Sequence, residues 1–186
     1  MRRGAYAGCT VLFESRSGDK MIITILLSVM MMAGLFLMLL AGVGFIQDKK
    51  FFSSAPKEVR DVVPETKPER LKGQHMIGWV MIVISFALMG GAVVLGAWNG
   101  IANDFSFWQF YVRFFVMLIL LKAYDIVFFD WILLSNAGFN FFTNFYPETK
   151  PVLGRYLFGY NWKTHLIHVV LFIPCVALLS WICTLI

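Results

Sequence analysis

Residues 108–134, WQFYVRFFVMLILLKAYDIVFFDWILL, form an apolar run that nonetheless carries Arg113, Lys122, Asp125 and Asp130. A segment of this length and apolarity is a transmembrane helix candidate, because a bilayer's hydrocarbon core takes about 20 helical residues to cross. Ionised side chains within such a helix cost roughly 2.5 to 3.5 kcal/mol each even on the lenient insertion scale, so they turn inward and find partners. Lys122 and Asp125 are three residues apart and neighbour each other on one helical face, whereas Asp130, two turns beyond Lys122, falls on an adjoining face. At about 1.5 Å per residue the helix outreaches the hydrocarbon layer, so Arg113 is expected to snorkel outward at one end and Asp130 to sit near the interface at the other. Lys122 and Asp125 then fall near the midplane, as a structural ion pair or as a proton, ion or substrate site.

The rest of the chain has the same character. It has 186 residues, 59% hydrophobic and 17% aromatic, and a mean hydropathy of +0.73, too apolar for a soluble domain. Four segments are long enough to span, at about residues 21–46, 76–98, 107–135 and 164–186. The expectation is an all-α integral membrane protein: a single domain over residues 21–186, folded as a four-transmembrane-helix bundle with no separate core in its linkers. Residues 1–20 form an N-terminal extension containing Arg2, Arg3, Arg16 and Lys20, which conflicts with the topology below; a true start at Met21 removes the conflict. The apolar run after it is longer than the hydrophobic stretch of a cleaved signal peptide.

The net charge of +5 reads as topology rather than as a nucleic-acid surface. Lys49, Lys50, Lys57, Arg60, Lys67, Arg70 and Lys72 lie in one linker and Lys150, Arg155 and Lys163 in another, while the connection over residues 99–106 has no basic residue. The positive-inside rule places linkers 47–75 and 136–163 in the cytoplasm and the C-terminus outside.

The first helix, with only Thr24 and Ser28 as polar residues, reads as a lipid-facing strut whose Met30, Met31 and Met32 fill space. Linker 47–75 mixes seven basic with five acidic residues and reads as solvated, with a short helix from about Ala55 to Val63 opened by Ser54. Phe51 and Phe52 beside Lys49 and Lys50 offer the alternative of a contact with anionic lipid headgroups. Ala87 and Gly91, then Gly96 and Gly100, follow the small-xxx-small spacing of close helix contacts, and Ser106 with Gln109 makes a capping box for the third helix.

Linker 136–163 holds nine aromatic residues: Phe139, Phe141, Phe142, Phe145, Tyr146, Tyr156, Phe158, Tyr160 and Trp162. A free aqueous loop does not carry so many, so the segment is expected in the interface or folded back over the bundle. The fourth helix opens with His165 and His168 on one face and contains Pro174, which predicts a kink. Cys9, Cys175 and Cys183 form no CxxC pattern and read as packing residues.

With this topology His75, Asp130, Glu148, His165 and His168 reach one interface, with Arg155 beside them. Histidine and carboxylate suit zinc or non-haem iron, and histidines on two helices suit haem; Lys150, Arg155 and Lys163 suit a phosphate or carboxylate headgroup instead. The bland alternative is an interfacial polar pair with no cofactor. Two functional classes follow. One is a transporter-like or accessory membrane subunit, a homo-oligomer or the partner of another membrane subunit, using Lys122, Asp125 and Asp130. The other is a membrane-embedded enzyme acting on a lipid-soluble substrate through His165, His168 and Asp130.

Overall fold

The computed structural model describes residues 5–53, 55–134, 140–153 and 161–186, with side chains from residue 18 onward. The described chain is all-helical. In order it forms α1 (Ala5–Leu40) running into a π-helical end (Ala41–Ile46), α2 (Lys57–Val62), α3 (Gln74–Ile101), α4 (Phe107–Tyr124) running into a second π-helical end (Asp125–Leu133), α5 (Phe141–Phe145) and α6 (Trp162–Leu185).

Three helices, Gly18–Ile46, Gln74–Ile101 and Trp162–Leu185, are long and apolar enough to cross a membrane. That fits a membrane-integral protein and accounts for large apolar side chains left exposed on α3 and α6, among them Val83, Phe86, Val94, Ile167, Val170 and Trp181. The segment expected as the third span forms helix α4 with its π-helical extension, which carries Arg113, Lys122, Asp125 and Asp130 and is not among these three.

The first helix, expected as a lipid-facing strut, leaves Met21, Ile22, Ile25, Leu26 and Val29 exposed, but its other face is part of the bundle. It packs chiefly against α3 and also against α4, while α4 packs chiefly against α6. Leu27, Met31 and Ser28 of α1 are buried, and the Ser28 and Thr24 hydroxyls donate to the carbonyls of Thr24 and Lys20 one turn back, at 2.8 and 2.9 Å. Local back-bonding lets two polar residues sit in an apolar interface.

On α3 the buried stripe is Gly78, Ile82, Ser85, Ala92, Gly96 and Gly100, the i, i+3/i+4 spacing of one face. Small residues there admit α1 closely. A Cβ at Gly34 would stand 3.0 Å from the Ser85 carbonyl oxygen, and one at Gly78 would stand 3.1 Å from the Ile46 backbone nitrogen. Ala87, expected in that seam, is exposed, whereas Gly91, Gly96 and Gly100 face neighbouring side chains. Between α3 and α4 the chain turns at Asp104 (φ 51°), a residue type that tolerates the left-handed region. The capping box then opens α4, with the Ser106 N–H donating to Gln109 Oε1 at 3.0 Å.

Arg113 does not snorkel. It is buried, donates to the Gly96 carbonyl and to Asn99 Oδ1 at 2.9 Å each, and stacks over the Phe105 ring at 4.3 Å. These bonds tie the start of α4 to the end of α3. Lys20 covers the Phe105 ring too, at 4.5 Å.

The second long linker folds back over the bundle, one of its two expected placements, and the first is not wholly solvated: Phe52, Val59, Val63, Phe142, Tyr146 and Leu153 pack with Val43, Leu133 and Leu134 of the long helices into one buried cluster that covers this end of the bundle. Phe52 meets Tyr146 edge-on at 4.8 Å, an arrangement worth about 0.5–1.5 kcal/mol beyond burial. Polar bonds lace the cover. Lys67 Nζ donates to the Phe145 carbonyl at 2.9 Å, pairs with Glu148 at 2.8 Å and lies 4.3 Å from the Tyr146 ring centre. Burial pushes the Tyr146 hydroxyl far above the usual phenol range, with the Glu148 charge adding to it. Gln74, buried at the head of α3, donates to the Gly44 and Phe45 carbonyls at 3.0 and 3.2 Å and accepts from the Arg70 N–H at 3.1 Å. It thereby satisfies carbonyls that the π-helical end of α1 leaves open. The short helix expected over Ala55 to Val63 is α2; Ser54 lies outside the described residues.

Candidate functional site

Five charged or titratable side chains meet beneath this cover. Lys122 comes from the last turn of α4, Asp125 and Asp130 from its π-helical continuation, and His165 and His168 from the first two turns of α6. Lys122 Nζ lies 2.7 Å from Asp125 Oδ2, 3.2 Å from His168 Nδ1 and 3.5 Å from His165 Nδ1. On its far side, His165 Nε2 lies 2.7 Å from Asp130 Oδ2, and His165 Nδ1 lies 4.0 Å from Asp125 Oδ2.

The backbone explains how both aspartates reach one imidazole. In an α-helix residues five apart are rotated by about 140° around the axis, so Asp125 and Asp130 would point different ways. A π-helix closes each turn with an i to i+5 hydrogen bond, as in Leu134 N–H to the Phe129 carbonyl at 3.1 Å, and brings such residues nearly into line. Asp130 therefore lies on the α6 side with Asp125 rather than on an adjoining face.

The hydrogen bonding is self-consistent. A lysine ammonium has three N–H donors and no acceptor, and three acceptors surround it here. Both histidines then offer a bare Nδ1 and carry their proton on Nε2, from which His165 donates to Asp130. The bonding pattern thus assigns the tautomer.

The two sites expected from sequence partly coincide. The Lys122 and Asp125 layer does not lie at mid-helix depth apart from the histidines: contact with the opening turns of α6 puts it near the covered end of the bundle. His75 and Glu148 are elsewhere. His75 stands at the head of α3, its Nδ1 3.6 Å from Glu69, and Glu148 pairs with Lys67. Arg155 lies outside the described residues. Among the described residues no group of three or more His, Cys, Asp or Glu is placed to hold a metal ion, and the Lys122 ammonium occupies the point between the ring nitrogens where a cation would bind. Cys175 is exposed and Cys183 buried, both as free thiols.

The cluster forms the polar floor of a cavity of about 120 Å³. Its walls are apolar, from Leu39, Phe51, Phe52, Phe129, Leu134 and Phe142, and Asn161 and Thr164 stand at its edge. Sequence reasoning does not assign the wall residues from the first linker. The only available signal is the pair Phe51 and Phe52 in an otherwise charged stretch. Towards the other end of the bundle the interior is filled by Leu27, Met31, Phe114, Met117 and Val176, with Leu118 and Leu121 against them.

No known protein family matches this chain, and no curated protein or solved structure is detectably similar to it.

Proposed function

We propose that this is a four-span membrane protein that admits the polar end of a lipid-soluble molecule to the cavity between α4 and α6 and exchanges a proton with it through His165. The single observation that carries this reading is the Asp130–His165–Lys122 series at the floor of an apolar-walled cavity. α4 is the fourth span in this reading, and its charges are tolerated because α3 answers Arg113 while α6 and the π-helical end answer Lys122. The basic linkers put the covered end on the cytoplasmic side.

Each group has a distinct role. Asp130 orients the ring through Nε2, which leaves Nδ1 to accept a proton from an entering hydroxyl or carboxyl group. The imidazolium so formed stands between Asp130 and Asp125. Lys122 supplies N–H donors to the oxygen left behind, exchanging its bond to a ring nitrogen for one to the ligand. Phe51, Phe52 and Phe142 surround the apolar portion and limit water. A transport path through one chain is disfavoured by the packed apolar interior beyond Met117.

The test is to extract and identify lipid-soluble material bound to the purified protein. Wild type is expected to retain a molecule that Phe142→Trp, which fills the cavity, releases. His165→Gln is expected to keep the molecule while losing its exchangeable proton in infrared difference spectra. Identical extracts from wild type and Phe142→Trp would overturn the reading. So would a stoichiometric metal in elemental analysis that disappears in His165→Ala/His168→Ala.

A further inference from the structure

A second cavity, of about 440 Å³, adjoins the first and shares Ala55, Asn161 and Thr164 with it. Lys57 and Arg60, one turn apart on α2, line it, and no carboxylate does. Other basic side chains of the same linker are matched by acids: Lys49 by Glu65 at 3.2 Å, Lys50 by Asp48 at 3.9 Å and Lys67 by Glu148 at 2.8 Å. Lys57 and Arg60 have no such partner among the described residues. Lys57 and Arg60 also border a neighbouring cavity in which Asp61 and Glu65 stand, but neither carboxylate is in ion-pair contact with them. Arg60 Nε is moreover buried without a hydrogen-bond partner. A buried guanidinium donor left unmatched is unfavourable, and an oxyanion is the ligand its planar fork fits.

We infer that the molecule taken up between α4 and α6 is an anionic amphiphile. Its phosphate or carboxylate group sits on Lys57 and Arg60 in the outer cavity, and an adjoining polar group reaches His165 past Asn161 and Thr164. This rests on the reading of the inner cavity given above and adds the chemical class of the ligand. The division of labour follows from the walls: two cations held in no ion pair outside, aromatic rings and a proton-accepting floor inside. A charged group held outside also avoids desolvation in the apolar cavity. The same oxyanion chemistry belongs to a lipid headgroup and to free phosphate, which the probes below separate.

The full-length chain in neutral phosphatidylcholine nanodiscs is titrated with dioctanoyl phosphatidic acid, with dioctanoylglycerol and with inorganic phosphate, as wild type, Lys57→Gln/Arg60→Gln and Phe142→Trp. Wild type is expected to bind the anionic probe at least about tenfold more tightly than the neutral one, the scale of one charge-assisted hydrogen bond. Lys57→Gln/Arg60→Gln is expected to erase that difference without weakening the neutral probe, and Phe142→Trp to weaken both. Equal wild-type binding of the two probes, lost in Phe142→Trp, would overturn the anion assignment and leave the inner-cavity reading standing. Binding of both probes unaffected by Phe142→Trp would overturn both. Inorganic phosphate binding as tightly as the anionic probe, with the same sensitivity to Lys57→Gln/Arg60→Gln, would overturn the amphiphile in favour of a soluble anion.

Discussion

Asp130 Oδ2 lies 2.7 Å from His165 Nε2, and Lys122 Nζ stands 3.5 Å from the opposite nitrogen of the same ring. An acceptor on one side and a donor on the other permit a single neutral tautomer. In ¹⁵N NMR at alkaline pH, where free imidazole is neutral, His165 is expected to show a protonated Nε2 and a bare Nδ1. Asp130→Leu should leave Nδ1 bare under the Lys122 donor and strip the Nε2 proton of its acceptor, shifting the Nε2 resonance alone. A protonated Nδ1 in the wild type would contradict the geometry.

The uneven legibility of this arrangement has physical causes. Apolar length alone marks the helices, because a bilayer demands it, and Lys122 and Asp125 are adjacent for any helix at i, i+3. Asp130 is named a candidate from sequence, but its alignment with Asp125 is not, because that register depends on a π-helical segment and the alternation of residues 125–133 carries no mark that distinguishes i+5 from i+4 bonding. Arg113 reads as a surface residue because snorkelling needs only the residue's own length, whereas its burial depends on the Gly96 carbonyl and the Asn99 amide of another helix. Linker 47–75 reads as solvated from its interleaved charges. Its apolar residues Phe52, Val59 and Val63 are too widely spaced to form a pattern until α5 and Tyr146 give them a surface to meet.

The Lys122–Asp125 pair is the one strong local bond in the site, at 2.7 Å with side chains 13% and 26% exposed. Removing Lys122 strands a carboxylate in an apolar-walled cavity, so Lys122→Met should lower stability by about 2 kcal/mol, less than for a fully buried pair. Asp125→Leu added to it should recover some of that. In a double-mutant cycle by thermal or chemical unfolding in detergent, the coupling should fall at about 1–3 kcal/mol. A coupling near zero would show that the histidines, not Asp125, hold the ammonium.

Close approach of the α1 end to α3 turns on Gly78, where an added Cβ would come within 2.6 Å of Ile46 Cγ1 and 3.0 Å of Phe45 Cβ. Gly78→Ala should cost about 1–3 kcal/mol by overpacking. Gly90, on the same helix, has nothing within 4 Å of such an atom, and Gly90→Ala should be neutral or mildly stabilising, since alanine is the better helix former. Melting temperatures of the two variants in one detergent decide the matter. Equal effects would mean that the α1–α3 seam is loose enough to absorb a methyl group.

Glu69 anchors the first turn of α3, accepting the His75 N–H at 3.0 Å and the Gly73 N–H at 3.1 Å. Those two backbone bonds, the His75 one foremost, hold its carboxyl below the ordinary value of 4.5. A carboxyl whose folded value is depressed binds protons less readily in the folded than in the unfolded chain. Its contribution is therefore complete above 4.5 and is lost as pH falls through the lower folded value. Glu69→Gln mimics the protonated form at every pH. Its melting temperature should lie below that of wild type at pH 7, and the gap should narrow below pH 4.5 and close in stronger acid. A gap constant across that range would show that the amide replaces the carboxylate for reasons other than charge, and that the anchor does not titrate.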